Sequence, residues 1–349
     1  MLKQFLPCLL CLMAVGLLLT SCASISPAPS PEPPPLSPEP RRSEGTPAKV
    51  RIFPDFVALI AQPGETLSTL ASKYLNDPSM DWLIAEFNGI TSLRPGQEVI
   101  IPLSPYGKGG LSPKGYQTVP ILAYHKFSKD KADLLTVTET AFAEQMKFLK
   151  EMGYRVIPLD HFFDFLEFKR PLPKKSVVIT IDDNWISVYD IAFPILKQYG
   201  YPATLFVYTD LILPGRKTLS WSHLIQMSQE GIDIQSHTKS HRNLNKRNGP
   251  ESIRDYVEVV RRELKESAEI LRKRLNKEVR YLAYPYGETN PLVMGLLMKL
   301  GYRGGLTVER ESNPFFIHPY RVNRSMIYGT FGLRDFESNL NCFDDRMAR

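Results

Sequence analysis

The sequence predicts an α/β chain whose larger part is a set of parallel strands closing into a barrel, preceded by a small βααβ unit. Three observations carry that reading. Val156 to Leu159, Val177 to Ile181, Thr204 to Val207, Ile232 to Gln235 and Tyr281 to Tyr284 are short apolar runs separated by helical segments. Strands alternating with helices favour a parallel sheet, and a barrel is its natural closure. One run, Val177-Val178-Ile179-Thr180-Ile181, delivers two adjacent carboxylates, Asp182 and Asp183, at its carboxyl end. Strand ends of this kind are where α/β folds build active sites. Another run leads straight into His237-Thr238-Lys239-Ser240-His241.

From the amino end, Lys3 followed by the apolar stretch Leu9–Leu19 has the charged start and short core of a secretory signal (residues 1–21). It ends in Leu19-Thr20-Ser21-Cys22, which resembles the lipobox of bacterial lipoproteins and implies lipidation of Cys22 and a membrane anchor facing the cell envelope. Cys8 and Cys11 would leave with the signal, so Cys22 and Cys342 remain and no disulfide framework is expected. Residues 22–54 are rich in Pro, Ser, Glu and Ala with little to bury, which makes a semi-rigid tether at about 3.1 Å per residue.

Residues 55–103 read as a compact unit. Val57–Ala61 is strand-like and Pro63-Gly64 a turn. Leu67, Leu70, Ala71 and Tyr74 recur at helical spacing, Asp77-Pro78 breaks that helix, and Trp82, Leu83, Ala85, Glu86 and Phe87 suggest a second. Leu93-Arg94-Pro95-Gly96-Gln97 turns the chain into a closing strand, Val99–Ile101. The run Pro63-Gly64-Glu65-Thr66-Leu67, Asn88, and Leu93–Gln97 ending in Ile101-Pro102 resembles a LysM module. That resemblance implies binding of N-acetylglucosamine-containing glycans such as peptidoglycan and chitin, with Trp82 serving either as core or as a sugar platform. A Gly/Pro/Ser-rich linker (104–118) follows, then the main domain (119–325) and a tail (326–349). Its clearest helix, Ser252 to Leu275, carries an apolar stripe of Ile253, Val257, Val260, Leu264, Ile270 and Leu271, with Arg and Glu read as a solvated face.

Two imidazoles four residues apart can share one face of a helix or tight turn, and one added carboxylate gives the three-ligand set typical of catalytic zinc. Adjacent strand residues point to opposite faces, so Asp182 and Asp183 need not do the same job. Together Thr180-Ile181-Asp182-Asp183 and Ser236-His237-Thr238-Lys239-Ser240-His241 resemble the first two motifs of NodB-type polysaccharide deacetylases. Ala283-Tyr284-Pro285-Tyr286-Gly287, Tyr124-His125, Phe193-Pro194-Ile195-Leu196 and Ala203–Val207 add to the match over Val119–Ser325.

The resemblance implies a distorted (β/α) barrel, Asp182 as general base, and a divalent metal, zinc first, on Asp183, His237 and His241. It also implies an oxyanion donor at the Tyr286 N–H, with Tyr284 and His125 lining the substrate cleft. Where the family has Gly after the Asp pair this chain has Asn184, a residue that tolerates positive φ. Where many members orient the base with an Arg in the third motif, Ala283 stands here, and Arg321 is the candidate substitute, with a surface arginine as the alternative reading. His318 is the candidate for the late general acid, whereas His161 and His223 read as surface or helix-start residues.

The function implied is hydrolytic removal of N-acetyl groups from an N-acetylglucosamine-containing polysaccharide, peptidoglycan first and exported poly-N-acetylglucosamine second. A non-catalytic glycan-binding lipoprotein is the alternative, and a non-haem iron oxygenase a third, since two His and one carboxylate also suit Fe(II). The formal charge of +6 fits an acidic wall polymer and requires no nucleic acid.

Overall fold

The computed structural model describes residues 50–103, 108–212 and 217–345. The expected signal, the tether, Cys22 and part of the linker lie outside these residues.

The amino-terminal module is a three-stranded antiparallel sheet with two helices, one strand more than a βααβ unit. Val50–Ile52 pairs with Phe56–Ile60, which pairs with Glu98–Pro102. Helix Leu67–Leu75 starts at Thr66, whose side chain accepts from the Thr69 N–H, and stops where Asn76 turns left-handed. Helix Asp81–Asn88 ends at Gly89 in the same conformation. Leu70, Ala71 and Ile84 pack on Val57, Leu59, Val99 and Ile101. Asn88, a motif residue, is a brace: its amide donates to the Ile84 and Ile100 carbonyls and accepts from the Ile100 N–H. Trp82 is buried.

The main domain is a sheet of seven parallel strands with one short parallel addition. Their spatial order is Gly304–Leu306, Tyr281–Ala283, Asp233–Ser236, Thr204–Val207, Ser176–Asp182, Ile121–Tyr124 and Ser325–Met326. Its two edges meet: Thr307 N–H donates to the Val322 carbonyl, Val322 N–H to Gly305, and Gly305 N–H to Pro319. The barrel therefore closes, unevenly, through an irregular segment rather than a full eighth strand. Strand Ser176–Asp182 is buried along its whole length, as a central parallel strand must be.

The amino end of the barrel is plugged by helix Leu159–Leu166. Its Phe163 stacks on Tyr281 at 4.5 Å and lies so close to Gly304 that a Cβ there would meet the ring at 2.1 Å. The amino-terminal module is seated at this same end. Asp81 pairs with Arg155 at 3.1 Å, Asp77 with Arg170 at 3.0 Å, and Glu86 accepts from the Lys174 N–H.

The expected domain limits of 119–325 are too narrow at both ends. Gly115–Val119 is a strand that pairs with Asn313–Pro314 and with Phe343–Asp344. Phe336 and Leu340 are buried in the same core as the barrel strands. The segment expected to be a tail is folded into the domain, because Ile327, Phe336 and Leu340 complete that core and Phe343–Asp344 pairs with Gly115–Val119.

Candidate active site

The site stands at the carboxyl ends of the strands, where the backbone departs from extended geometry at four places. Asp183 (φ 72°), Thr238 (φ 72°), His241 (φ 63°) and Tyr286 (φ 64°) are all non-glycine residues in the left-handed region, which is sparsely populated for side-chain-bearing residues. The reversal after Asp182 falls on Asp183 and not, as expected, on Asn184. Asn184 is instead a buried clamp to the neighbouring strand, donating to the Tyr208 carbonyl and accepting from the Tyr208 N–H.

The turn separates the two carboxylates. Asp182 is 2% exposed and takes a two-pronged bond from Arg324, Nη1 to Oδ1 at 2.7 Å and Nη2 to Oδ2 at 2.8 Å. Burial works to raise the Asp182 pKa, but the charges of Arg324 and His237 and the Arg324 hydrogen bonds outweigh it, and the carboxyl is held well below its usual range. Arg324 is itself fully buried, with Nε on the Thr307 carbonyl and Nη1 also on Thr180 Oγ1. Asp183 receives a hydrogen bond from Trp185 Nε1 on Oδ2, which leaves Oδ1 to face the imidazoles.

His237 Nε2 lies 3.9 Å and His241 Nε2 3.6 Å from Asp183 Oδ1. One ligand atom from each of the three residues falls within 4.8 Å of the others. Tetrahedral ligands about 2.1 Å from a zinc-sized ion sit about 3.4 Å apart, so this donor set fits a divalent metal. His237 Nδ1–H donates to the Ala283 carbonyl at 2.7 Å, which fixes the tautomer and aims the Nε2 lone pair at Asp183. Burial keeps His237 neutral by lowering its pKa, against the opposing pull of Asp182. His241 is flanked by the rings of Tyr208 at 5.1 Å and Tyr286 at 5.0 Å.

The positions expected from the sequence divide cleanly. Asp182, Asp183, His237 and His241 converge, and the Tyr286 ring stands against His241. His125 follows strand Ile121–Tyr124, whose Tyr124 is in register with Ile181, so it stands level with Asp182. Its charge contributes to lowering the Asp182 pKa.

Three expected residues lie elsewhere. Arg321 does not reach Asp182. It is exposed and paired with Glu309 at 2.6 Å, and the guanidinium on Asp182 is that of Arg324, three residues further along the return segment. His318 precedes the segment that runs parallel to Gly304–Leu306, with Pro319 level with Gly305, so it sits at the amino end of the barrel. Tyr284 is fully buried, its hydroxyl donating to the Tyr320 carbonyl, and lines the core rather than the cleft. His223 caps helix Trp221–Gln229, accepting from the Ser220 N–H.

Arg324, Trp185, Tyr208 and the Ala283 carbonyl were not read from the sequence. Only Arg324 carried a signal there, as a charged residue inside the otherwise strand-like run Val322–Met326.

Residues 169–305 match the family model for polysaccharide deacetylases, and residues 60–102 that for LysM domains. The Bacillus subtilis polysaccharide deacetylase family protein YxkH is 30% identical over 221 residues, 61% of this chain and 75% of that one. The poly-beta-1,6-N-acetyl-D-glucosamine N-deacetylase of Staphylococcus epidermidis is 32% identical over 197 residues, 55% of this chain and 68% of its own. Among solved structures, the Streptococcus pyogenes deacetylase PplD superposes with a TM-score of 0.58 at 26% identity, covering 65% of this chain and 99% of that one. IcaB from Ammonifex degensii gives 0.55 at 25%, covering 61% and 93%. The chain therefore belongs to the polysaccharide deacetylase family of hydrolytic enzymes, with a LysM domain ahead of its barrel.

Proposed function

We propose that this protein removes N-acetyl groups from a polymer of N-acetylglucosamine, with Asp182 as general base. The observation that carries the reading is the division of the Asp pair: Asp183 Oδ1 faces both imidazoles, at 3.9 and 3.6 Å, while both oxygens of Asp182 are engaged by Arg324, with His237 Nε2 4.0 Å from Oδ2.

Asp183, His237 and His241 would hold the ion. A divalent metal bound there supplies Lewis acidity, acidifying a water and polarising an acetyl carbonyl. Asp182 takes one proton from the attacking water as its oxygen bonds to the carbonyl carbon, a contribution of about 10²–10⁴-fold. Arg324 keeps that carboxylate ionised and oriented. The Tyr286 N–H, on its left-handed turn beside His241, donates to the oxyanion. The C–N bond then breaks, and the amine departs with a proton from His125, the imidazole level with the base; His318 lies at the wrong end of the barrel for that role. The products are acetate and a free amino sugar.

The names of the staphylococcal relatives favour a β-1,6-linked poly-N-acetylglucosamine. The LysM domain favours peptidoglycan as a second substrate, and the lipobox at Cys22 would keep the enzyme on the envelope side of a membrane. Acetate release from both polymers, measured with Zn2+-loaded protein and an Asp182→Asn control, tests the reading. Release that depends on Asp182 is expected and ranks the substrates. No release from either polymer by folded, metal-bound protein would leave a glycan-binding protein.

A further inference from the structure

The loop that carries both histidines is held by the long helix Ile253–Leu275, and by one buried acid on it above all. Glu263 lies within the helix's inward stripe, between Val260 and Leu264, and is 8% exposed. Its Oε2 accepts from two consecutive backbone N–H groups, Lys239 at 3.0 Å and Ser240 at 2.8 Å, and its Oε1 accepts from Ser240 Oγ at 2.7 Å. One turn further on, Ser267 Oγ meets Ser236 Oγ at 2.7 Å, and Ser236 Oγ in turn accepts from the Thr238 N–H. The helix thus grips the loop at both ends.

That grip is needed because the loop's backbone is unfavourable where it matters. Thr238, a β-branched residue, and His241 both have φ in the left-handed region. Such conformations persist only where the surroundings over-determine them. Two adjacent N–H groups converging on one carboxylate make an anion-binding nest, and here the anion is supplied in cis. The arrangement fixes residues 239–240, between the two imidazoles, and so sets the spacing of His237 and His241 around Asp183.

We infer that Glu263 is a positioning residue of the metal site: its hydrogen bonds go to Lys239 and Ser240, between the two histidines, and it tunes metal affinity by holding that backbone. The inference rests on the reading of Asp183, His237 and His241 as metal ligands. A Glu263→Gln substitution keeps size and one accepting oxygen but removes the charge and turns an N–H2 toward the nest. Outer-shell partners of metal-binding histidines typically contribute 10–100-fold in affinity.

The test uses the full chain and two measurements. The first is Zn2+ affinity by competition with a chromogenic chelator. The second is hydrogen exchange of the 238–241 segment in metal-free protein. Glu263→Gln is expected to weaken Zn2+ binding by about 10–100-fold and to speed exchange of the loop by about tenfold, with exchange of strand Ser176–Asp182 unchanged. Activity at saturating Zn2+ should return toward that of the unaltered protein. Unaltered affinity and loop exchange, even with a lower melting temperature, would overturn the inference and leave Glu263 a merely structural residue. If the unaltered protein bound no Zn2+, the metal reading itself would fall, and the exchange result would still decide whether Glu263 holds the loop.

Discussion

At the carboxyl end of the barrel a single guanidinium, Arg324, meets a single carboxylate, Asp182, and neither side chain is more than 2% exposed. At the amino end Arg303, 19% exposed, meets Asp160, Asp164 and Glu167 together, and Arg280 joins Asp160. The amino-end cluster consumes its own charge. The Arg303 hydrogen bond, with the Lys169 hydrogen bond and the charges of both, holds Glu167 down to about 2 against the opposing effect of burial, and water reaches the rim. The carboxyl end does not balance in this way. Among the described residues the charge-bearing partners of Asp183 are imidazoles, and burial lowers the pKa of His237, so a carboxylate and two imidazole nitrogens converge with no lysine or arginine paired to Asp183. A surplus of donors at one end and mutual neutralisation at the other is what separates a reactive site from a structural one built of the same residue types.

The sharpest way to break that contrast is Arg324→Met. Removing one partner of a buried ion pair costs about 3–5 kcal/mol, and denaturant unfolding should show a loss of that size. The sign with pH is set by Asp182. In the unaltered protein its folded pKa is depressed below the ordinary 3.8, so its stabilising effect is full above that value and is lost as pH falls from there through the folded pKa. Without Arg324 burial is opposed only by His237 and His125, and the carboxyl's pKa rises. The mutational cost should then be largest at neutral pH and shrink toward pH 4, while the acid limb of the rate profile moves up. A cost independent of pH would mean that Arg324 matters as bulk rather than as charge.

Arg303→Met probes the other end and should have a smaller effect. Its partners stay partly hydrated, so a loss of about 1–2 kcal/mol in unfolding free energy is expected, with acetate release unchanged within about twofold. Impaired catalysis in this variant would show that the two ends are coupled through the barrel. Arg321→Ala should do least. Its pair with Glu309 is exposed on both sides, and less than about 0.5 kcal/mol and no change in rate are expected. A large loss of activity there would restore Arg321 to the base and contradict the Arg324 contact.

The contrast between these two arginines shows where the sequence stops being legible. The Asp pair and the two histidines are local patterns: each is fixed by a few neighbouring residues, and a strand ending in carboxylates or a four-residue spacing survives in any fold that contains it. Arg321 and Arg324 lie three residues apart in the same return segment, and choosing between them depends on the register with which that segment closes the barrel. His318 went to the wrong end for the same reason. Being late in the chain says nothing about which end of the barrel a residue reaches. Glu263 was read as part of a solvated face because most acids on a charged helix are solvated, yet it occupies the apolar stripe and is satisfied by a loop that the helical pattern does not reveal.

By itself the sequence determined the alternation of strands and helices, the LysM pattern ahead of the barrel, the strand that ends in Asp182 and Asp183, and the histidine pair. These follow from side-chain periodicity and short spacings, which act over one or two turns of chain. Only the tertiary structure decided that the turn falls on Asp183, that Arg324 holds Asp182, that Ala283 offers its carbonyl to His237, and that Ile327, Phe336 and Leu340 belong to the core. Those outcomes depend on which distant backbone groups are left needing partners once the barrel closes. A buried charge or N–H must find its counterpart wherever the packing places it.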